Sequence, residues 1–356
     1  MLVFVANYPD DINIRDGMMQ RVAAIDSLVN GVDRIYLDIS FRRYLNKKTE
    51  VKSEAKIYRL NFFIHFFIIA RLLCSASTIY VHSVINLFKV CFFYTPNKTI
   101  LDIHGVVPEE CKYSGNIIMS FVYGYIERKA ITSCNRLIHV TKSMLYHYEN
   151  KYEINLGEKS IILPILDPEN ICDVSLHKYD TLPFRVVYAG GLQKWQNIDL
   201  MVSSVISVLR SNHTNTFEFY FCLPSNTVDD FLKLYPELSK YHNVFIKSFS
   251  KADMLNFMST CQLGFVLRDD VLVNRVACPT KLVEYIQYGV LPIVLSDAIG
   301  DFKELGYKYI GLDDFVNLRF DSLSISHQVD DNKVVLSEFR NTASKALSQL
   351  SQFLKK

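Results

Sequence analysis

The chain has 356 residues, 49% of them hydrophobic and 21% charged, which is too long for one small core and enough apolar material for two. Lys and Arg total 39 against 37 Asp and Glu, a net charge of +2, and this excludes the clustered basic surplus of a general nucleic-acid binder. The 8 cysteines are scattered, with no CxxC pair and no metal-like spacing with histidine, so they read as small buried hydrophobes in a reducing compartment.

The opening "MLVFVANYPDD" has no basic leader and no cleavage site, and reads as a first strand. Short apolar runs then alternate with helical spacing, the mark of an α/β layer. Strands are expected at Leu2–Ala6, Arg34–Asp38, Thr78–His82, Thr99–Ile103, Leu137–Val140 and Lys159–Leu163. Helices are expected at Met18–Val29, Phe62–Leu73, Val84–Phe93, Asn116–Ser133 and Ser143–Tyr152. Phe41–Leu73 carries eight basic residues (Arg42, Arg43, Lys47, Lys48, Lys52, Lys56, Arg59, Arg71) against Glu50 and Glu54. It reads either as a basic loop and amphipathic helix for an anionic membrane surface, or as a solvated loop beside a core helix. Its apolar run, "LNFFIHFFIIARLL", is shorter than the ~20 residues that span a bilayer, so a cytoplasmic protein without a transmembrane helix is expected.

The polar, proline-containing stretch 166–183 reads as a linker. A second alternating series follows: strands in "FRVVYAGG", "FEFYFCLP", "NVFIKSF", "QLGFVLR" and "LPIVLS", with helices at Asn197–Arg210, Val228–Tyr235 and Lys251–Ser259 and one opening at Pro279. This gives an N-terminal domain at 1–165, a C-terminal domain at 184–336, and a last helix at Ser337–Lys356. Each doubly wound domain binds ligands beyond the carboxyl ends of its strands.

Four motifs lie at such ends. In "CPTKLVEYIQYGVLPIV", Pro279 suits a first helical turn, and Lys281 and Glu284 share a face. They are either a surface ion pair or a ligand site, the carboxylate accepting from two hydroxyls and the ammonium meeting a diphosphate. The loop before them, "DDVLVNRVA", follows a strand ending at Arg268. In "VVYAGGLQKWQNIDLM", Gly190 and Gly191 allow close backbone approach to a phosphate, with Lys194 beside them. The alternative is a tight turn packed by Trp195. In "LDIHGVVPEE", His104 and Gly105 follow a strand, with Asp102 before and Glu109 and Glu110 after. His104 reads as a group that orients or deprotonates a hydroxyl, or as a structural histidine. In "RDGMMQRV", Gly17 opens the first loop to a ligand and Arg21 sits one turn into the helix.

The order of "DIHGVVPEE", "YAGGLQKWQN" and "PTKLVEYIQYGVLPIV" resembles the GT-B glycosyltransferases, specifically the family 4-like (group 1) enzymes, over nearly the whole chain. The resemblance implies two Rossmann-like doubly wound domains facing a central cleft, the last helix returning to the N-terminal domain. It implies a nucleotide-sugar donor on the C-terminal domain and a glycan or lipid-linked oligosaccharide acceptor on the N-terminal one. The expected setting is bacterial capsule, O-antigen or exopolysaccharide synthesis, at the inner face of the cell membrane. Glu284 then corresponds to the second glutamate of the family's paired-glutamate region, the ribose ligand. Lys281 and Arg268 line the diphosphate or sugar, Asn274 joins the donor residues, and Gly190, Gly191 and Lys194 form the first C-terminal loop. His104 and Lys281 are the catalytic candidates. Gly17, Asp102, Gly105 and Glu109 fall to the acceptor or cleft.

The resemblance implies no cofactor and no metal, and retention of anomeric configuration. Two positions depart from it: Val276 stands where the first glutamate is expected, and Leu192 where a loop arginine is usual. These departures leave open a non-catalytic nucleotide-sugar-binding or scaffold protein. A sugar-nucleotide epimerase ranks last, since it needs neither acceptor site nor membrane-facing segment.

Overall fold

A computed structural model describes residues 1–10, 17–165, 178–179, 181–211 and 216–355. The chain divides into two compact units: Met1–Asp167 with Val276–Cys278 and Asn341–Lys356, and Pro168–Arg275 with Pro279–Arg340. The expected linker, 166–183, lies largely outside the described residues, as does the run 11–16 in the first loop.

The first unit is built on one sheet with helices between its strands. In chain order its elements are β1 (Leu2–Val5), α1 (Gly17–Ser27), β2 (Arg34–Ser40), β3 (Lys48–Lys52), β4 (Ala55–Asn61), α2 (Phe66–Cys74), β5 (Thr78–His82), α3 (Ser83–Val90), β6 (Thr99–Ile103), α4 (Val107–Tyr113), α5 (Ile117–Ser133), β7 (Arg136–His139), α6 (Lys142–Tyr152) and β8 (Ser160–Ile162). The sheet order is β3-β4-β2-β1-β5-β6-β7-β8, parallel except for β3 against β4. β1 and β5 are fully buried; β1 is wholly apolar, and β5 has Ile79, Tyr80 and Val81 between Thr78 and His82, as central parallel strands require.

The basic stretch after Phe41 is not the loop expected from sequence. It forms the β3–β4 hairpin, closed by a two-residue turn in which Ser53 takes a φ of 50°. Sequence usually signals that conformation with Gly or Asn, and neither is present. β3 also lacks an apolar run because it is an exposed edge strand rich in lysine. The helix expected from Phe62 starts at Phe66, after a turn in which Asn61 Oδ1 accepts from the backbone N–H groups of Phe63 and Ile64.

The second unit contains β9 (Phe184–Ala189), α7 (Ile198–Arg210), β10 (Phe217–Cys222), α8 (Val228–Leu234), β11 (Val244–Lys247), α9 (Lys251–Met258), β12 (Leu263–Val266), α10 (Leu272–Arg275), α11 (Thr280–Gln287), β13 (Leu291–Val294), β14 (Ile310–Gly311), α12 (Leu312–Val316) and the start of α13 (Ile325–Leu354). Its sheet is wholly parallel, in the order β11-β10-β9-β12-β13-β14. The first strand is central and the winding reverses on its two sides, which is the Rossmann arrangement.

The last helix begins at Ile325 rather than Ser337. Ile325 and Val329 continue its apolar face, and no proline or glycine interrupts the run between them and Ser337. Those two residues join the second unit's core, while Ala343, Ala346, Leu350 and Leu354 join the first's. No described helix is long and apolar enough to cross a membrane.

Candidate functional site

In the second unit the winding reverses between β9 and β12, so the crevice beyond their carboxyl ends is the expected ligand position. Gly190 and Gly191 follow β9 there, and Leu267 and Arg268 follow β12. Gly190 has a φ of 155°, and a Cβ on it would lie 2.9 Å from the Lys281 ammonium. The positive φ favours glycine here, and the lysine that α11 delivers across the turn occupies the space beside it.

Lys281 Nζ donates to Gln196 Oε1 at 3.0 Å and lies 3.8 Å from the centre of the Tyr188 ring, a close cation–π contact. The Tyr188 hydroxyl donates to the Gly191 carbonyl and so fixes the turn. Arg268 donates to Asn274 Oδ1 at 3.0 Å, and Asn274 Nδ2 donates to the Asp269 carbonyl at 2.8 Å. Asn274 thereby holds Arg268 in place. Asn197, with a φ of 51°, ties the glycine turn to β12 by donating to the Leu267 carbonyl and Asp269 Oδ1, both at 3.1 Å.

No carboxylate forms a salt bridge with Lys281 or Arg268 among the described residues. Burial pushes the Lys281 ammonium well below its usual range, and Arg268 pushes it further, against a smaller opposing pull from Glu284. Burial likewise lowers Arg268. The Glu284 carboxyl is raised by burial, with Lys251 and Lys281 opposing, and its oxygens take no hydrogen bond from any described residue. The expected ion pair is thus not formed: the two charges share a face without meeting. Lys194 and Trp195 are both exposed, so the tryptophan is not packing for the turn.

One contact sets the whole arrangement. Tyr285, next to Glu284, donates its hydroxyl to the Val187 carbonyl at 3.1 Å and accepts from the Ala189 N–H at 3.2 Å. Its ring lies over Gly264 in β12, where a Cβ would come within 2.5 Å of the ring edge. This glycine admits the tyrosine that fixes α11 against the end of β9.

In the first unit, Asp102 is fully buried on β6. Arg21 Nε reaches its two oxygens at 2.9 and 2.8 Å and Nη2 reaches one at 2.7 Å. Tyr80 donates to the same carboxylate at 2.5 Å. Burial alone would raise this carboxyl, but Arg21 and His82 hold it well below the usual range. Asp102 and Arg21 are therefore spent on each other.

His82 stands opposite Asp102 in the β5–β6 register, and its ring stacks on His104 at 4.3 Å. Burial, with a further push from His82, takes the His104 imidazole down to about 3, so it is neutral at pH 7. Neither His82 Nε2 nor His104 Nδ1 has a hydrogen-bond partner among the described residues. Ser83, directly after His82, has a φ of 74°, a conformation that a non-glycine residue keeps only under constraint from its surroundings. Sequence reasoning missed His82, although "TIYVH" ends a strand with histidine just as "LDIH" does.

His82, Asp102 and His104 present ligand atoms within 4.8 Å of one another. They do not suit a cation, because Arg21 and Tyr80 already occupy the Asp102 oxygens and the guanidinium lies against the set. Gly17 begins α1. Gly105 lies beneath the Glu110 carboxylate. Glu109 pairs with Lys151 at 2.6 Å, and Lys151 in turn pairs with the buried Glu127 at 2.6 Å. Val276 is buried, and its carbonyl accepts from Thr141 Oγ1 at 2.7 Å.

No family model matches the chain, and no curated protein matches it. Solved structures do. An α,α-trehalose-phosphate synthase (UDP-forming) from Burkholderia vietnamiensis matches at TM-score 0.66 and 10% identity, covering 99% of each chain. WaaG, a glycosyltransferase involved in lipopolysaccharide biosynthesis, matches at TM-score 0.65 and 11% identity, over 98% of this chain and 99% of that one. Anabaena HepE in complex with UDP-glucose matches at TM-score 0.63 and 11% identity, over 99% of this chain and 98% of that one. The fold is GT-B. Within the GT-B fold, Gly190, Gly191, Arg268, Lys281 and Glu284 converge in the second domain, and His104, Asp102 and His82 in the first. Asn274 supports the first group from behind, and Lys194 and Glu109 stand apart from these contacts.

Proposed function

We propose that the protein is a glycosyltransferase that moves a sugar from a nucleotide-sugar donor to a glycan acceptor. The observation that carries this is the pair of basic side chains, Lys281 and Arg268, at the strand switch point, with no carboxylate in a salt bridge to either among the described residues. Holding two part-buried basic groups without a salt-bridged carboxylate is costly, and a bound diphosphate would supply the missing negative charge. Glu284, with its oxygens unused, would accept from the two ribose hydroxyls.

As the sugar–phosphate bond stretches, negative charge grows on the leaving diphosphate, and Lys281 and Arg268 stabilise it where it develops. They supply the role a metal would otherwise fill, so turnover should persist in a chelator. His104, neutral at working pH, offers a hydrogen-bonding nitrogen to a hydroxyl bound at the first domain. Retention of anomeric configuration is the stereochemistry we assign, supported by the likeness to a trehalose-6-phosphate synthase described as transferring with retention (TM-score 0.63, 11% identity). A lipid-linked acceptor of bacterial surface-polysaccharide synthesis is the finer reading, supported by the likeness to WaaG.

A second reading has its own observation. Val276, where the family's first glutamate is expected, is buried and offers only an occupied carbonyl. A non-catalytic nucleotide-sugar-binding protein would tolerate this. Incubation with a panel of nucleotide-sugars separates the two. Release of nucleoside diphosphate from one donor, lost in Glu284→Ala together with about tenfold or more in nucleoside-diphosphate affinity, is the expected result. Binding without turnover of any donor would favour the non-catalytic reading.

A further inference from the structure

His82 has no role in the function proposed above, yet its surroundings fix it closely. It ends β5, is 2% exposed, and stacks its ring on the partly exposed His104. The Tyr80 hydroxyl lies 3.1 Å from His82 Nδ1 and 2.5 Å from Asp102 Oδ2. Burial and the Asp102 charge push the Tyr80 phenol well above its usual range, so it keeps its proton and donates it to the carboxylate. Its oxygen is then left to accept, and the hydrogen at the other contact belongs to His82 Nδ1. That fixes the tautomer: in the neutral ring, Nε2 is a bare lone pair. Nε2 is buried and has no partner among the described residues, and the same holds for His104 Nδ1. Buried polar atoms in this state are costly and call for a partner. Ser83 follows with a φ of 74°, and Asn86 Nδ2 donates to the His82 carbonyl at 2.7 Å, so a constrained backbone keeps the ring where it is.

The missing partner of His82 is a hydrogen-bond donor. The cation of the cluster is already committed: Arg21 Nε and Nη2 go to Asp102, and Nη1 donates to the Leu163 carbonyl at 2.6 Å. An ionised phosphate would bring lone pairs to a lone pair, with the Asp102 carboxylate only 3.6 Å from the other side of the ring. A hydroxyl brings the proton that Nε2 lacks. We propose that His82 and His104 form a hydroxyl-binding pair, His82 Nε2 accepting from one hydroxyl of an uncharged sugar while His104 Nδ1 meets a neighbouring one. The stack suits this: with ring centres 4.3 Å apart and planes within 21° of parallel, the two nitrogens do not bond each other and both stay open to one ligand. The pair also stands at the carboxyl ends of the adjacent parallel strands β5 and β6, where such sheets take their ligands. His82 thereby favours an unphosphorylated sugar over a sugar phosphate. That this sugar is the acceptor of a transfer rests on the glycosyltransferase reading; that His82 takes a hydroxyl rests on the cluster itself.

Nuclear magnetic resonance of the full chain with nitrogen-15 histidine reads the tautomer directly. His82, assigned by the signals lost in His82→Phe, should show a protonated Nδ1 and a bare Nε2 at neutral pH, and Tyr80→Phe should release it to a mixture of tautomers. The same samples are titrated with glucose, galactose, mannose and N-acetylglucosamine, and with the 6-phosphate of each. At least one free sugar should move the His82 Nε2 signal, and its 6-phosphate should bind no more tightly. His82→Phe should lose about tenfold or more of that binding, and His82→Gln, whose amide can offer an acceptor in place of Nε2, should recover part of it. Nucleoside-diphosphate affinity, which belongs to the second unit, should not change in either variant. The opposite tautomer, binding of none of these sugars, tighter binding of a 6-phosphate, or equal sugar binding by His82→Phe would each overturn the proposal. If His82→Phe does not fold, the tautomer and the 6-phosphate comparison on the unaltered chain still decide. A protein that binds a sugar through His82 but turns over no donor keeps this inference and ends the glycosyltransferase reading. One whose donor turnover keeps the same kcat and KM in His82→Phe does the reverse.

Discussion

Each unit holds an arginine near the end of a central strand, Arg21 buried and Arg268 part-buried, and they treat it in opposite ways. In the first, Arg21 meets Asp102 with three short hydrogen bonds, and Tyr80 uses the remaining capacity of the carboxylate. In the second, Arg268 has only the neutral Asn274 as a hydrogen-bond partner among the described residues, and its charge pushes against a second basic group, Lys281. A buried charge with a full set of partners is a fixture of the fold. A buried charge left short of partners costs stability and gains it back when a ligand of the opposite sign arrives. Under the proposed function, architecture falls to the first arginine and binding to the second, although both look alike in sequence.

The largest expected effect breaks the first half of this comparison. Arg21→Met leaves Asp102 buried and unpaired, and should cost about 3–5 kcal/mol in denaturant unfolding. A loss no larger than that of an ordinary surface substitution would mean the pair is not structural. A smaller effect of opposite sign sharpens the second half. The Lys281 ammonium is held below its usual value, so between its folded and unfolded pKa the unfolded chain binds more protons and the lysine subtracts from stability. Lys281→Met should therefore raise stability by about 1 kcal/mol while weakening nucleoside-diphosphate binding. Calorimetry and thermal unfolding on the same preparation read both, and a variant that loses stability along with binding would contradict the assignment.

The smallest effect concerns acid. Asp102 is held below its usual value, so its contribution is complete above the unfolded carboxyl value, near 4, and lost as pH falls below it. Unfolding free energy should fall on acidification below about pH 4. Asp102→Asn, compared across the same pH series, should show a shallower dependence.

Much of the fold was legible because central parallel strands are continuous apolar runs. Leu2–Val5, Thr78–His82 and Phe184–Ala189 announce themselves, as does the double glycine after the last of these. The β3–β4 hairpin was not legible. Its edge strand is polar, and its turn is made by Ser53 without a glycine. In the site, helical spacing was enough to put Lys281 and Glu284 on one face, but not to show that they avoid each other. Asp102 and Arg21 were each read as residues near a ligand, because a pairing across 81 positions leaves no local pattern. Tyr188, Gln196 and His82 escaped notice for the same reason: their importance lies in what folding brings beside them.

Gly264 and Tyr285 carry a consequence for how this chain can change over generations. The ring occupies the space a side chain at 264 would need, and its hydroxyl clasps the last residues of β9. A mutation at 264, in the middle of a strand, would therefore act at a distance, by tilting the helix that bears Lys281 and Glu284. Shrinking Tyr285 first would make room but release the clasp. Neither order of substitution has a harmless intermediate, so the two positions are bound to drift together or not at all.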